Sequence, residues 1–124
     1  MQLDGRYEQI AKSYWRKYES DDEHADRVER ATTEANFGYA KAIAGPLAAY
    51  RQTMKDIAPY KGAPKWDRLK AAADSVYRKT TADAFNLFLR SFEEIMRDGE
   101  ESEETSALWD ALLANVASAE KEAA

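Results

Sequence analysis

The residues that could carry chemistry in this chain are few, and none stands in a recognisable catalytic pattern. His24 is the single histidine and there is no cysteine, so thiol nucleophiles, thiolate zinc sites and disulfides are excluded, and a reducing compartment is allowed. Di-metal helical bundles need a carboxylate from each of two helices and Glu-x-x-His from each of the others. The nearest match, Asp21-x-x-His24, occurs once and reads as a solvated helix start. Residues 98–104 are acidic but lack the alternating oxygen ligands and sixth-position glycine of a calcium loop. A serine triad would have to use His24, and no Gly-x-Ser-x-Gly elbow exists. Glu93-Glu94 has no special claim as a paired acid in a chain with 23 carboxylates, and the five glycines form no phosphate-binding loop. No catalytic, cofactor or metal residue is therefore expected. An enzyme without a recognisable motif is the remote alternative.

What remains is a surface that could bind. The net charge is −5, but it is unevenly spread. Residues 51–79 hold eight Lys/Arg against three Asp/Glu, whereas residues 80–124 hold three against eleven. A basic middle and an acidic last third can attract each other within the fold or between copies, or the basic part can meet an anionic partner. Arg51, Lys55, Lys61, Lys65, Arg68 and Lys70 would supply the electrostatic side of a contact surface. Trp15, Tyr60 and Trp66, at stripe edges or in a loop, are its candidate anchors, because Trp, Tyr and Arg dominate interface energetics. The same segment interleaves Tyr50, Tyr60, Trp66 and Tyr77 with its cations, a pattern that would also suit single-stranded nucleic acid.

The elements that must position these residues are helices. Residues 83–96 contain three of the four phenylalanines, and on a helix their apolar side chains cover an arc of about 200°, twice a single core-facing stripe. Only Asn86, Arg90, Glu93 and Glu94 are left for water, so this segment is expected at the centre of a bundle, or with one flank covered by another subunit. Before it, a first helix is expected over about 4–19, with Leu3, Tyr7, Ile10, Ala11, Tyr14 and Tyr18 on its stripe and Asp4 as a cap. Ser20 and Glu23 match a capping box, which starts a second helix near Asp21. Its inner positions are Val28, Thr32, Ala35, Tyr39, Ala42 and Ile43, then Leu47, Tyr50, Met54 and Ile57. Gly45-Pro46 interrupts that run, but the apolar spacing continues nearly in phase, which favours a kinked continuous helix over a stop and restart.

Residues 58–64 read as a loop, with Pro64 opening the next helix. The stripe Trp66, Leu69, Ala73, Val76, Tyr77 and Thr80 is rotated about 100° from the phenylalanine stripe. The helix therefore either breaks at 79–83, with Thr81 as a new cap, or changes partners there. Gly99 suits a left-handed C-cap, residues 100–104 form a solvated acidic loop, and a last helix over about 103–121 turns Leu108, Trp109, Leu112, Leu113 and Val116 inward. No strand signal exists. The expected fold is all-α: a single-domain (1–124), elongated small bundle of four to six helices, with two long central helices, each kinked or broken at 45–46 and 79–83, and shorter terminal ones.

No apolar run approaches the roughly 20 residues needed to span a bilayer, and the first ten residues have no signal-peptide core. The expected location is cytoplasmic, or within a virion or other particle if the chain is phage-encoded, with no membrane partner. The expected function is that of a non-catalytic helical interaction or assembly protein, binding another protein or copies of itself. A small phage-encoded inhibitor, an accessory subunit and an adaptor would each fit. Nucleic-acid binding through residues 51–79 is the alternative.

Overall fold

The computed structural model describes the backbone of residues 5–123 and the side chains of residues 5–116. Four α-helices and one short 3-10 turn follow one another, with no strand among the described residues: α1 (Gly5–Ser13), α2 (Asp21–Ile57), the turn Ala58–Tyr60, α3 (Pro64–Asp98) and α4 (Glu103–Ala123). The two central helices have 37 and 35 residues, so each is about 50–55 Å long. They run antiparallel as one long hairpin.

Both suspected interruptions are continuous helix. α2 passes through Pro46, although proline there removes one backbone donor. The apolar stripe keeps facing α3 on both sides of it, with Tyr39 and Ala42 buried before and Ile57 after. α3 likewise passes through 79–83. Thr81 does not cap a new start: it is buried, and its hydroxyl donates to the Tyr77 carbonyl at 2.7 Å. The rotation of the stripe is instead a change of partners. Around Leu69 to Tyr77, α3 lines a furrow with Pro46, Ala49, Tyr50 and Thr53 of α2, whereas from Ala84 onward its core positions also pack with Tyr7 and Ile10 of α1 and Trp109 of α4.

The helix ends follow local rules. Ser20 caps α2, accepting from the Glu23 N–H at 3.2 Å and donating to the Glu23 carboxylate at 3.0 Å. Pro64 opens α3, and Gly99 closes it at φ 88°, its N–H bonded to the Ile95 carbonyl at 2.8 Å. α1 is shorter than the expected 4–19. Past Ser13 the Tyr14 carbonyl is taken by the Arg27 guanidinium, and Arg16 to Glu19 form a turn instead. The expected Asp4 cap and the Leu3 stripe position lie outside the described residues.

The core occupies one half of the hairpin. Ala31, Ala35, Tyr39 and Ala42 of α2 meet Ala84, Phe88, Leu89, Phe92, Ile95 and Met96 of α3. α1 covers one side, with the Tyr7 ring tilted against that of Phe92 at 4.7 Å and its hydroxyl 2.7 Å from that of Thr32. α4 covers another, with Trp109 buried against Gly38. Both flanks of the phenylalanine helix are thus covered within the chain, and no second subunit is required to cover them. Three side chains here depart from the expected exposure, and the first is Tyr18, which lies past the end of α1 and is 88% exposed rather than on its stripe. Glu94 is 8% exposed rather than solvated, because it anchors the start of α4, and Leu108 points outward while Trp109 takes the inner position. From 44 to 80, Ile57 is the only buried residue. The molecule is a four-helix bundle at one end and a bare two-helix hairpin at the other.

Candidate functional site

Two polar clusters hold the closed end. At the first, Arg27 donates from Nε to Glu19 at 2.7 Å, from Nη1 to the Met96 carbonyl at 2.7 Å, and from Nη2 to the Tyr14 carbonyl. One planar guanidinium thereby ties the α1–α2 connection to the end of α3. Hydrogen bonding from Arg27, aided by the Arg16 N–H and His24, holds the Glu19 carboxyl at about 2 against the opposing effect of burial. His24 is not the solvated terminus expected. It is buried, its ring lies 3.9 Å from that of Trp15 in a parallel stack, and Nδ1 is 3.3 Å from Glu19.

At the second cluster, Glu94 receives the Ser102 N–H at 2.8 Å and the Thr105 hydroxyl at 2.7 Å. Ser102 itself accepts from the Thr105 N–H at 3.1 Å and so caps α4. Burial works against ionising Glu94, but hydrogen bonds from the Ser102 N–H, Thr105, the Ser102 side chain and Arg90 outweigh it and hold the carboxyl at about 2. Glu101 behaves oppositely: burial pushes its carboxyl up, with Glu94 and Asp110 adding to the effect. The loop expected to be wholly solvated is therefore partly built into the α3–α4 joint. Among the described residues no group of three or more His, Cys, Asp or Glu side chains could hold a metal ion. These clusters use their charges on helix ends and on one another.

The open half of the hairpin is different. Arg51, Lys55, Lys61, Lys65 and Arg68 are exposed around its tip, as are Arg78 and Lys79 further along α3. Among the described residues none of these seven makes an ion pair. Lys65 instead sits 4.4 Å over the Tyr60 ring. Lys70 departs from the set, since its ammonium donates to Asp74 at 2.9 Å. Asp74 also accepts the Tyr50 hydroxyl at 2.7 Å. Hydrogen bonds from Lys70 and then Tyr50 lower the Asp74 carboxyl, and the same contacts raise Lys70 and Tyr50. Trp66 is half-buried on the α3 stripe.

Of the expected surface residues, the tip thus gathers Arg51, Lys55, Tyr60, Lys61, Lys65, Trp66 and Arg68, with Lys70 just behind. Trp15 is not with them. It stacks on His24 at the opposite end, about 50 Å from Ile57 along α2. Two further features were not anticipated. Val76, expected inside, is 61% exposed because no third helix reaches it, and Phe37 is 68% exposed with Lys41 lying 3.9 Å over its ring. The Lys70–Asp74 pair was visible as an i,i+4 spacing, but its link to Tyr50 depends on the hairpin register.

Two furrows run along the open half between α2 and α3. One is lined by Pro46, Ala49, Thr53, Leu69, Ala73 and Val76. The other, about 680 Å³, is lined by Ala40, Ile43, Leu47 and Tyr50 on α2 and by Lys70 and Arg78 on α3. Together fold and surface define an all-α four-helix bundle with an exposed, basic hairpin extension. Comparison with protein families, curated proteins and solved structures finds no match to this chain. No described helix is long and apolar enough to cross a membrane.

Proposed function

We propose that this chain is a non-catalytic helical interaction or assembly protein, an accessory subunit, adaptor or inhibitor, whose working surface is the open half of the α2–α3 hairpin. One observation carries this reading: from 44 to 80 a single residue is buried, while seven cations on and beside this half have no ion-pair partner among the described residues. A helix pair that buries so little contributes little to the stability of the bundle it extends. Unpaired charge around apolar furrows suits recognition of a complementary surface.

The nucleic-acid alternative draws on the same cations. Its stacking platforms, however, are mostly engaged. Tyr50 and Tyr77 pack on each other at 5.4 Å, Trp66 is half-buried, and the exposed Tyr60 has Lys65 over its ring. The protein-binding reading is therefore preferred.

The test reverses charge at the tip. Lys65→Glu with Arg68→Glu should leave the melting temperature unchanged. Used as baits in an extract of the native host, the wild-type protein should retain a partner that the reversed variant loses. A melting temperature that falls with the reversal, or identical captures by both baits, would mean that these charges serve the fold or nothing.

A further inference from the structure

The furrow beside Arg78 has a built-in precedent. α1 lies along the α2 positions Val28 and Thr32, in the same valley of the hairpin, and presents Tyr7, Ile10 and Ala11 to it, with Tyr14 in the turn just past its end. That is the i, i+3, i+4 pattern of a helix laid into a groove. On α2 the row continues in three- and four-residue steps through Asn36, Ala40, Ile43, Leu47 and Tyr50, so the valley occupied by α1 runs on toward the tip. Ala40 to Tyr50 spans about 15 Å, room for roughly three turns of a further helix.

The opposite wall sets the charge that such a helix should carry. Asp74, the acidic residue on that wall, already accepts from Lys70 and Tyr50. Arg78, on the same wall, is exposed and makes no ion pair among the described residues, although its charge helps to lower the Asp74 carboxyl. An apolar strip beside two cations, Lys70 and Arg78, against the single carboxylate Asp74 fits a partner with an apolar stripe and acidic flanks. A nucleic-acid backbone would match the cations but not desolvate Ile43 and Leu47. A second copy of the chain is a poorer fit. Two such furrows set side by side in parallel would bring their cations together. The acidic α4 exposes Leu108 as its one large apolar side chain among the described residues, too little for a stripe.

We infer that the α2–α3 furrow at Ala40, Ile43, Leu47 and Arg78 receives an acidic amphipathic helix from another protein, lying in line with α1. This rests on the interaction role proposed above and names its partner class. The probe is a synthetic peptide with leucine at i, i+3, i+4 and i+7 and glutamate at the flanking positions. Its counterpart carries lysine for each glutamate. Fluorescence anisotropy at low salt should show the acidic peptide binding the wild-type protein at least about tenfold more tightly than the basic one, equivalent to roughly 1.4 kcal/mol. Arg78→Glu, and separately Leu47→Asp, should each weaken it by about tenfold or more with helix content unchanged.

Equal binding of both peptides, no binding of the acidic one, or binding that survives both sets of substitutions would overturn the inference. So would tighter binding of a single-stranded oligothymidylate that is lost on reversing Arg78. A self-associated protein whose dimer is broken by Leu47→Asp would overturn this occupant while leaving the interaction role standing. Failure of the Lys65 and Arg68 test would instead remove the role itself.

Discussion

Gly38 of α2 and Trp109 of α4 are in direct contact, so close that a Cβ on Gly38 would stand 2.7 Å from the indole Cδ2 and 2.9 Å from Cε3. The absence of a side chain on α2 is what lets the largest residue of α4 enter the core. A glycine inside a helix ordinarily costs about 0.5–1 kcal/mol relative to alanine, so Gly38→Ala would stabilise α2 considered alone. In the folded chain the added methyl meets a buried ring that has little room to move. We expect Gly38→Ala to destabilise the protein by about 1–3 kcal/mol, as overpacking does, measured by urea unfolding. Increased stability would show that α4 does not rest on Gly38.

Acid should loosen the closed end first. The Glu94 and Glu19 carboxyls are both held at about 2 in the fold, against an ordinary value of 4.5. Groups lowered by folding contribute stability that is complete above the ordinary value and is lost as pH falls toward the folded one. Stability should therefore decline as pH falls from 4.5 toward about 2. In Glu94→Gln this decline should be shallower, with lower stability at neutral pH. Glu101, raised by burial, works in the opposite sense, so Glu101→Gln should stabilise the protein at neutral pH. Urea unfolding at a series of pH values checks both signs.

Pro46 offers a test of helix continuity. Proline inside a helix costs about 3 kcal/mol where nothing compensates it. Because α2 is unbroken through Pro46, Pro46→Ala should raise the melting temperature and leave the helix content the same or slightly higher. A lower melting temperature would mean that the proline sets a bend on which the packing of α3 depends.

The sequence reveals the helices better than their surroundings. Capping at Ser20, the N1 proline at Pro64 and the C-cap at Gly99 are local rules, and each holds. The two ambiguous interruptions were ambiguous for a physical reason. Whether Pro46 or Thr81 breaks a helix depends on what packs beside it, which no local pattern contains. The same is true of Glu94 and His24. Each looks like an ordinary surface group until the chain brings Ser102 and Thr105 to the one and Trp15 to the other. The basic cluster of residues 51–79 was visible in composition. That its cations lie on a hairpin half with one buried residue was not, because Val76 and Leu47 have the spacing of core residues and differ from them only in lacking a third helix.

One end of the hairpin buries the core, while the other, proposed as the binding surface, buries only Ile57 between residues 44 and 80. Amide hydrogen exchange on the isolated protein tests this most directly, since protection follows the local free energy of opening. Amides of residues 31–42 and 84–96 should exchange slowest, and those of residues 44–56 and 66–80 should exchange about tenfold or more faster. Equal protection along the full length of α2 and α3 would contradict the account, because it would mean that the outer half is already held as firmly as the bundle.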